Sequence, residues 1–73
     1  MTRGQSLQII RDAFSHVDVK RVIVEYDLEM KEDVAKIYVS DEQLEAALGE
    51  DGFYPRGVAM KAGLAIEVVL LDS

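Results

Sequence analysis

The sequence predicts an α+β domain, three helices laid on one face of a three-stranded sheet, in the order α-β-β-α-α-β. Three observations predict it. Apolar and polar residues alternate around positions 20–28, 34–39 and 65–71, which is the period of a strand. Between and before these stretches, apolar residues recur three and four apart, as on a helix face. Gly49, Gly52, Pro55 and Gly63 punctuate the second half, where helices are expected to stop and start.

Residues 1–4 are polar and are expected to be loose. Ser6 can cap a first helix over about residues 7–15. Leu7, Ile10 and Phe14 follow its period, with Ala13 beside them, and Arg11 and Asp12 point away. The first strand runs from Lys20 to Leu28. Val22, Val24, Tyr26 and Leu28 share one face; Arg21, Ile23 and Glu25 share the other. Four of the five residues from Val22 to Tyr26 are β-branched or aromatic, which favours a strand over a helix. The charged link Glu29 to Asp33 is short, so the second strand, Val34 to Val39, is expected to pair antiparallel with the first. Ala35, Ile37 and Val39 face one way, Lys36 and Tyr38 the other.

Ser40, followed three residues on by Gln43, reads as a capping box for a second helix with Leu44, Ala47 and Leu48 inward. Asp41 and Glu42 suit the positive end of its macrodipole, and Gly49 stops it. Pro55 fits the first turn of a third helix, which runs to about Ala62 with Val58, Ala59 and Ala62 apolar. Gly63 ends it. Ala65 to Leu71 is the last strand, with Ile66, Val68 and Leu70 on one face and Val69 and Leu71 on the other.

The 73 residues make one domain. A domain of this size buries only about 60% of its unfolded surface, so the periodic apolar positions must share one core. The absence of cysteine excludes a disulfide framework and a thiolate metal site. That fits a reducing compartment, and the chain is expected in the cytoplasm. No apolar run is long enough for a membrane helix, and the N-terminus lacks the apolar region of a signal peptide. No membrane partner is expected. Fourteen acidic against eight basic side chains give a net charge of -6. Phosphate contacts supply much of the affinity for nucleic acid, so strong nonspecific binding is not expected.

The segment Gly49-Glu50-Asp51-Gly52 lies between the second and third helices. Two glycines framing two residues at this place resemble the phosphate-binding loop of a K-homology (KH) domain. The element order is that of the type II KH fold. The flanks are similar to the KH domains of the bacterial transcription elongation factor NusA, and most like its second. The resembling residues are Val39, Asp41, Gln43, Leu44, Ala47, Leu48 and Gly49, then Arg56, Ala59, Gly63, Ile66 and Val68 at the same spacing. The resemblance covers about residues 38–69. It implies a module of transcription elongation, termination or antitermination that touches nascent single-stranded RNA or proteins of the transcription machinery. It implies no cofactor and no catalysis. The residues it points to are Gly49, Glu50, Asp51, Gly52, Arg56 and Lys61.

The departures bear on that expectation. The family loop typically carries basic residues, and this one carries Glu50 and Asp51. Phe53 and Tyr54 stand where the family has polar residues, and Pro55 and Gly57 where it has ordinary helix formers. Two charges about 6 Å apart interact by roughly 0.7 kcal/mol in water. A reversal of four charge units in the loop is therefore expected to cost RNA binding about 2–4 kcal/mol, enough to turn micromolar into millimolar affinity. RNA binding is expected to be weak or absent. Phe53 and Tyr54 offer π faces for stacking on bases; the alternative is that they pack against a helix end. If the domain has lost its ligand, it can serve instead in protein–protein contact or assembly. Ile23, Tyr38, Val69 and Leu71, on the outer sheet face, would then be the surface for a partner or a second copy in a homodimer.

Other chemistry lacks its residues. His16 has no second histidine or cysteine for a zinc site and reads as a turn residue. Asp41, Glu42, Glu45, Glu50 and Asp51 lack the spacing of a calcium loop and read as a solvated surface. No metal site and no enzyme are expected.

Overall fold

A computed structural model describes residues 1–71. The chain is a small α+β fold with three helices and a three-stranded mixed sheet. The elements are α1 (Arg3–Ala13), β1 (Val19–Asp27), β2 (Glu32–Val39), a 3-10 turn (Asp41–Gln43) leading into α2 (Leu44–Leu48), α3 (Tyr54–Ala62) and β3 (Ala65–Leu70). The strand order is β1-β2-β3, with β2 central.

Helix α1 begins earlier than its apolar period suggests. The Thr2 hydroxyl accepts from the Gln5 amide at 3.1 Å, and the Gln5 side chain accepts from the Thr2 amide at 2.8 Å. This reciprocal box satisfies two donors that would otherwise be orphaned, so Arg3 and Gly4 are helical. Ser6 is therefore not the cap. It is buried inside the helix, and its Oγ donates to the Ala62 carbonyl at 2.6 Å, tying α1 to the last turn of α3.

The β1–β2 hairpin is antiparallel, as its short link predicts, with Val22 opposite Ile37 and Val24 opposite Ala35. Its turn is built on Asp27, whose Oδ1 accepts from the amides of Glu29 and Met30 at 2.9 and 3.0 Å. That turn removes Leu28 from the strand, and Leu28 is 82% exposed rather than facing inward beside Val22. Tyr26, at the strand end, is also exposed.

Strand β3 runs parallel to β2, with Ile66 beside Ala35 and Val68 beside Ile37. The core joins Ala35, Ile37 and Val39 of β2 to Ile10 and Phe14 at the end of α1, Ala47 of α2, and Val58 and Ala62 of α3. Val22, Val24, Ile66 and Val68 flank this cluster from the outer strands, only partly buried.

The expected capping box at Ser40 does not form. The Ser40 side chain makes no cap hydrogen bond, and the Gln43 Oε1 accepts instead from the Asp18 amide at 3.1 Å, bracing the entry to β1. The segment starts as a 3-10 turn, and only five residues become α-helix before Gly49. Helix α3 opens with Pro55 and closes on Gly63 in the left-handed region, as its punctuation predicts. Among the described residues, no helix is long and apolar enough to cross a membrane.

Candidate nucleic-acid interface

Both loop glycines adopt positive φ, 80° at Gly49 and 78° at Gly52. The Gly52 amide donates to the Gly49 carbonyl at 3.3 Å. The Asp51 Oδ1 accepts from the Phe53 amide at 2.9 Å, so one of the two loop acids also shapes the turn. Its place before a glycine is the sequence signal for that role. Helix α3 then opens with no side-chain cap. Pro55 has no N–H, so the helix start offers one anion-facing donor fewer than usual.

The two aromatics after the loop part company. The Tyr54 hydroxyl donates to the Ala13 carbonyl at the end of α1. Its ring meets Phe14 and His16 edge-on, at centroid distances of 5.3 and 5.4 Å. Tyr54 is a packing residue that pins the loop to α1. No periodicity announces that role, because the partners are 38 to 41 residues away in the chain. His16 sits in the turn after α1, its Nε2 facing the Ala46 carbonyl at 3.3 Å. Phe53 remains 60% exposed, and the Arg56 guanidinium lies 5.9 Å from its ring centroid. This pair offers a π face and a cation together.

Three hollows surround the loop. One, of about 500 Å³, lies between the start of α3 and β3; Leu48, Gly52, Phe53, Arg56, Ile66 and Val68 border it, with Met30 of the hairpin turn at one end. Arg56 and Glu67 are its charged residues. A second, of about 620 Å³, lies toward α1 and is bordered by Gly49, Glu50, Asp51, Tyr54 and Lys61. The third, of about 960 Å³, runs along α2 and carries Asp41, Glu42, Glu45 and Glu50, with no basic residue in its lining among the described residues.

The six loop and helix residues marked by the sequence are thus divided. Gly52 and Arg56 border the β3 side. Gly49, Glu50, Asp51 and Lys61 border the α1 side, so Lys61 does not join Arg56. Five residues apart on a helix, the two project about 140° from each other. Met30 and Glu67 are contributors that sequence reasoning missed, since nothing in a turn or strand residue announces which groove it borders.

On the outer sheet face, Tyr38 pairs directly with Val69, and Ile23 lies opposite Lys36, one step away. All three apolar residues are half-buried, and Leu71 is exposed. Charges interleave with them. Arg21 lies over the Tyr38 ring at 6.0 Å, and Lys36 meets Glu25 at 3.7 Å. Among the described residues, no cluster of three or more potential ligands is placed to hold a metal ion.

No family model, curated protein or solved structure matches the chain.

Proposed function

We propose that the chain is a type II KH-like module, related in kind to those of NusA-type transcription elongation and termination factors, that contacts single-stranded nucleic acid weakly. The observation that carries this reading is the groove between the Gly52–Arg56 side of the loop and β3. Its lining is mostly apolar, which suits unstacked bases, and its rim holds the exposed Phe53–Arg56 pair. The glycine at its edge lets a sugar-phosphate backbone approach closely. The order of elements and the mixed sheet also support the KH reading.

Weak contact follows from charge. Among the described residues, Arg56 is the one cation in the groove lining, and Glu67 opposes it. Glu50 and Asp51 border a different hollow, so their repulsion acts through solvent and falls as salt rises. Attenuation therefore has two sources, few cations in the groove and acids beside it. A second reading, a KH-like domain used for protein–protein contact, is favoured by the hollow along α2, whose acids suit a basic partner.

An amide NMR titration with mixed-sequence single-stranded RNA at low salt tests the first reading. The expected result is small shifts at Gly52 to Arg56 and along β3. A Glu50→Lys, Asp51→Arg variant should shift the same amides more, with affinity raised at least about tenfold. Silence in both proteins along the groove would overturn it and leave the protein-contact reading.

A further inference from the structure

We propose that two copies of this chain pair along β1, antiparallel about a twofold axis at Ile23, to make one continuous six-stranded sheet. Strand β1 hydrogen-bonds to β2 on one side only, and it is nine residues long, Val19–Asp27. Unpaired strand edges of this length are templates for another strand, and proteins blunt them with proline, charged side chains, bulges or a covering element. The charges of the central stretch of β1, Arg21 and Glu25, are of opposite sign, so a second copy can pair them. Here β1 contains no proline, and among the described residues no strand lies beyond it. Its single irregularity falls between Val19 and Arg21, outside the central stretch.

The sequence of that stretch is self-complementary in one register. With the axis at Ile23, each Arg21 faces Glu25 of the second copy on the outer sheet surface. Each Val22 faces Val24 of the second copy on the core side, and the two Ile23 side chains meet at the centre. Moving the axis to Val22 sets Arg21 against Ile23. Moving it to Val24 sets Glu25 against Ile23. Within Arg21–Glu25, only the axis at Ile23 matches charge with charge and apolar with apolar.

The isolated chain leaves these groups unfinished. Val22 and Val24 are only partly buried, although their neighbours Ile37 and Ala35 are fully buried. Arg21 has no carboxylate within ion-pair distance among the described residues, and Glu25 has only the 3.7 Å contact with Lys36 and is half exposed. Pairing would complete both sets. The groove beside β3 is at the opposite edge of the sheet, so both copies keep it open.

Sedimentation equilibrium tests the pairing at about 0.15 M salt, where mutual repulsion of the acidic chains is damped but contact pairs survive. The parent is expected to dimerise as its concentration rises to about 1 mM. Arg21→Glu and Glu25→Arg each set like charges opposite each other twice, and each should raise the dissociation constant at least about tenfold. An equimolar mixture of the two variants should regain the dimer, because each copy then supplies the charge the other lacks. Both positions are exposed, so both variants should keep the far-ultraviolet circular dichroism of the parent. Independently of any variant, a mixed-label parent sample should give intermolecular NOEs between Val22 and Val24. A monomeric parent overturns the proposal. So does a parent dimer lacking those NOEs, folded variants that dimerise as tightly as the parent, or a mixture that stays monomeric.

Discussion

Ala47→Asp is expected to abolish the folded state at room temperature. Ala47 is fully buried and sits where the five-residue α2 meets the core cluster. A carboxyl there sits within an apolar cluster, and burying it costs several kcal/mol, whether as an unpaired charge or as a neutral polar group without a hydrogen bond. A domain of this size has about 4–10 kcal/mol of stability in total. The short helix also has little of its own to resist displacement, since five residues form barely more than one turn. Circular dichroism with a urea titration checks this. The parent should melt cooperatively, and the variant should show no folded baseline. Leu44→Asp is the control. Leu44 is only partly buried and borders the open hollow along α2, so its carboxylate can turn toward water. That variant should fold with a lowered midpoint. A parent-like melt for Ala47→Asp would mean that α2 does not pack as described.

Gly49→Ala is expected to cost about 2–4 kcal/mol, and Gly52→Ala about 1–2 kcal/mol. The two glycines look alike in sequence and differ in space. Gly49 has φ 80° and ψ 172°, a region that is essentially closed to other residues. A Cβ there would also stand 2.9 Å from the Tyr54 Cβ. Tyr54 has little freedom to retreat, because its hydroxyl is held by Ala13 and its ring by Phe14 and His16. Gly52 has positive φ but nothing within 4 Å of the added atom. Urea midpoints of the two variants should therefore separate clearly, with Gly49→Ala the lower. Equal midpoints would show that the Tyr54 contact yields. The difference also makes Gly52 the better handle on ligand contact, since it borders the groove and can be changed at smaller structural cost.

The three strands and the last helix were legible because their signals are local. Alternation marks β1, β2 and β3, and Pro55 with Gly63 brackets α3. The ends of α1 and α2 were legible only in part. Thr2 and Gln5 form the same kind of pair as Ser40 and Gln43, yet only the first pair closes. The second fails because Gln43 finds the Asp18 amide, a partner 25 residues away that no local pattern reveals. Leu28 departs from its expected place for a local reason, since the Asp27 carboxylate turns the chain one residue earlier than alternation suggests. At the candidate site, the glycines and the loop acids were plain in the sequence. Their division between two hollows, the docking of Tyr54 on α1 and the reach of Met30 depend on how distant elements meet. Single-sequence reasoning has no access to those distances.

The parallel pairing of β3 with β2 has a consequence for the order in which the molecule assembles. The β1–β2 hairpin closes through a short turn. Strand β3 reaches β2 only after the whole crossover of residues 40–64 has been gathered in, and that closure must be met before its contacts can repay it. The hairpin can therefore nucleate early, while β3 docks late and detaches first. One wall of the groove is then the least autonomous part of the sheet. Anything that occupies the groove and prefers β3 in place would also hold the crossover closed and stabilise the whole fold by mass action.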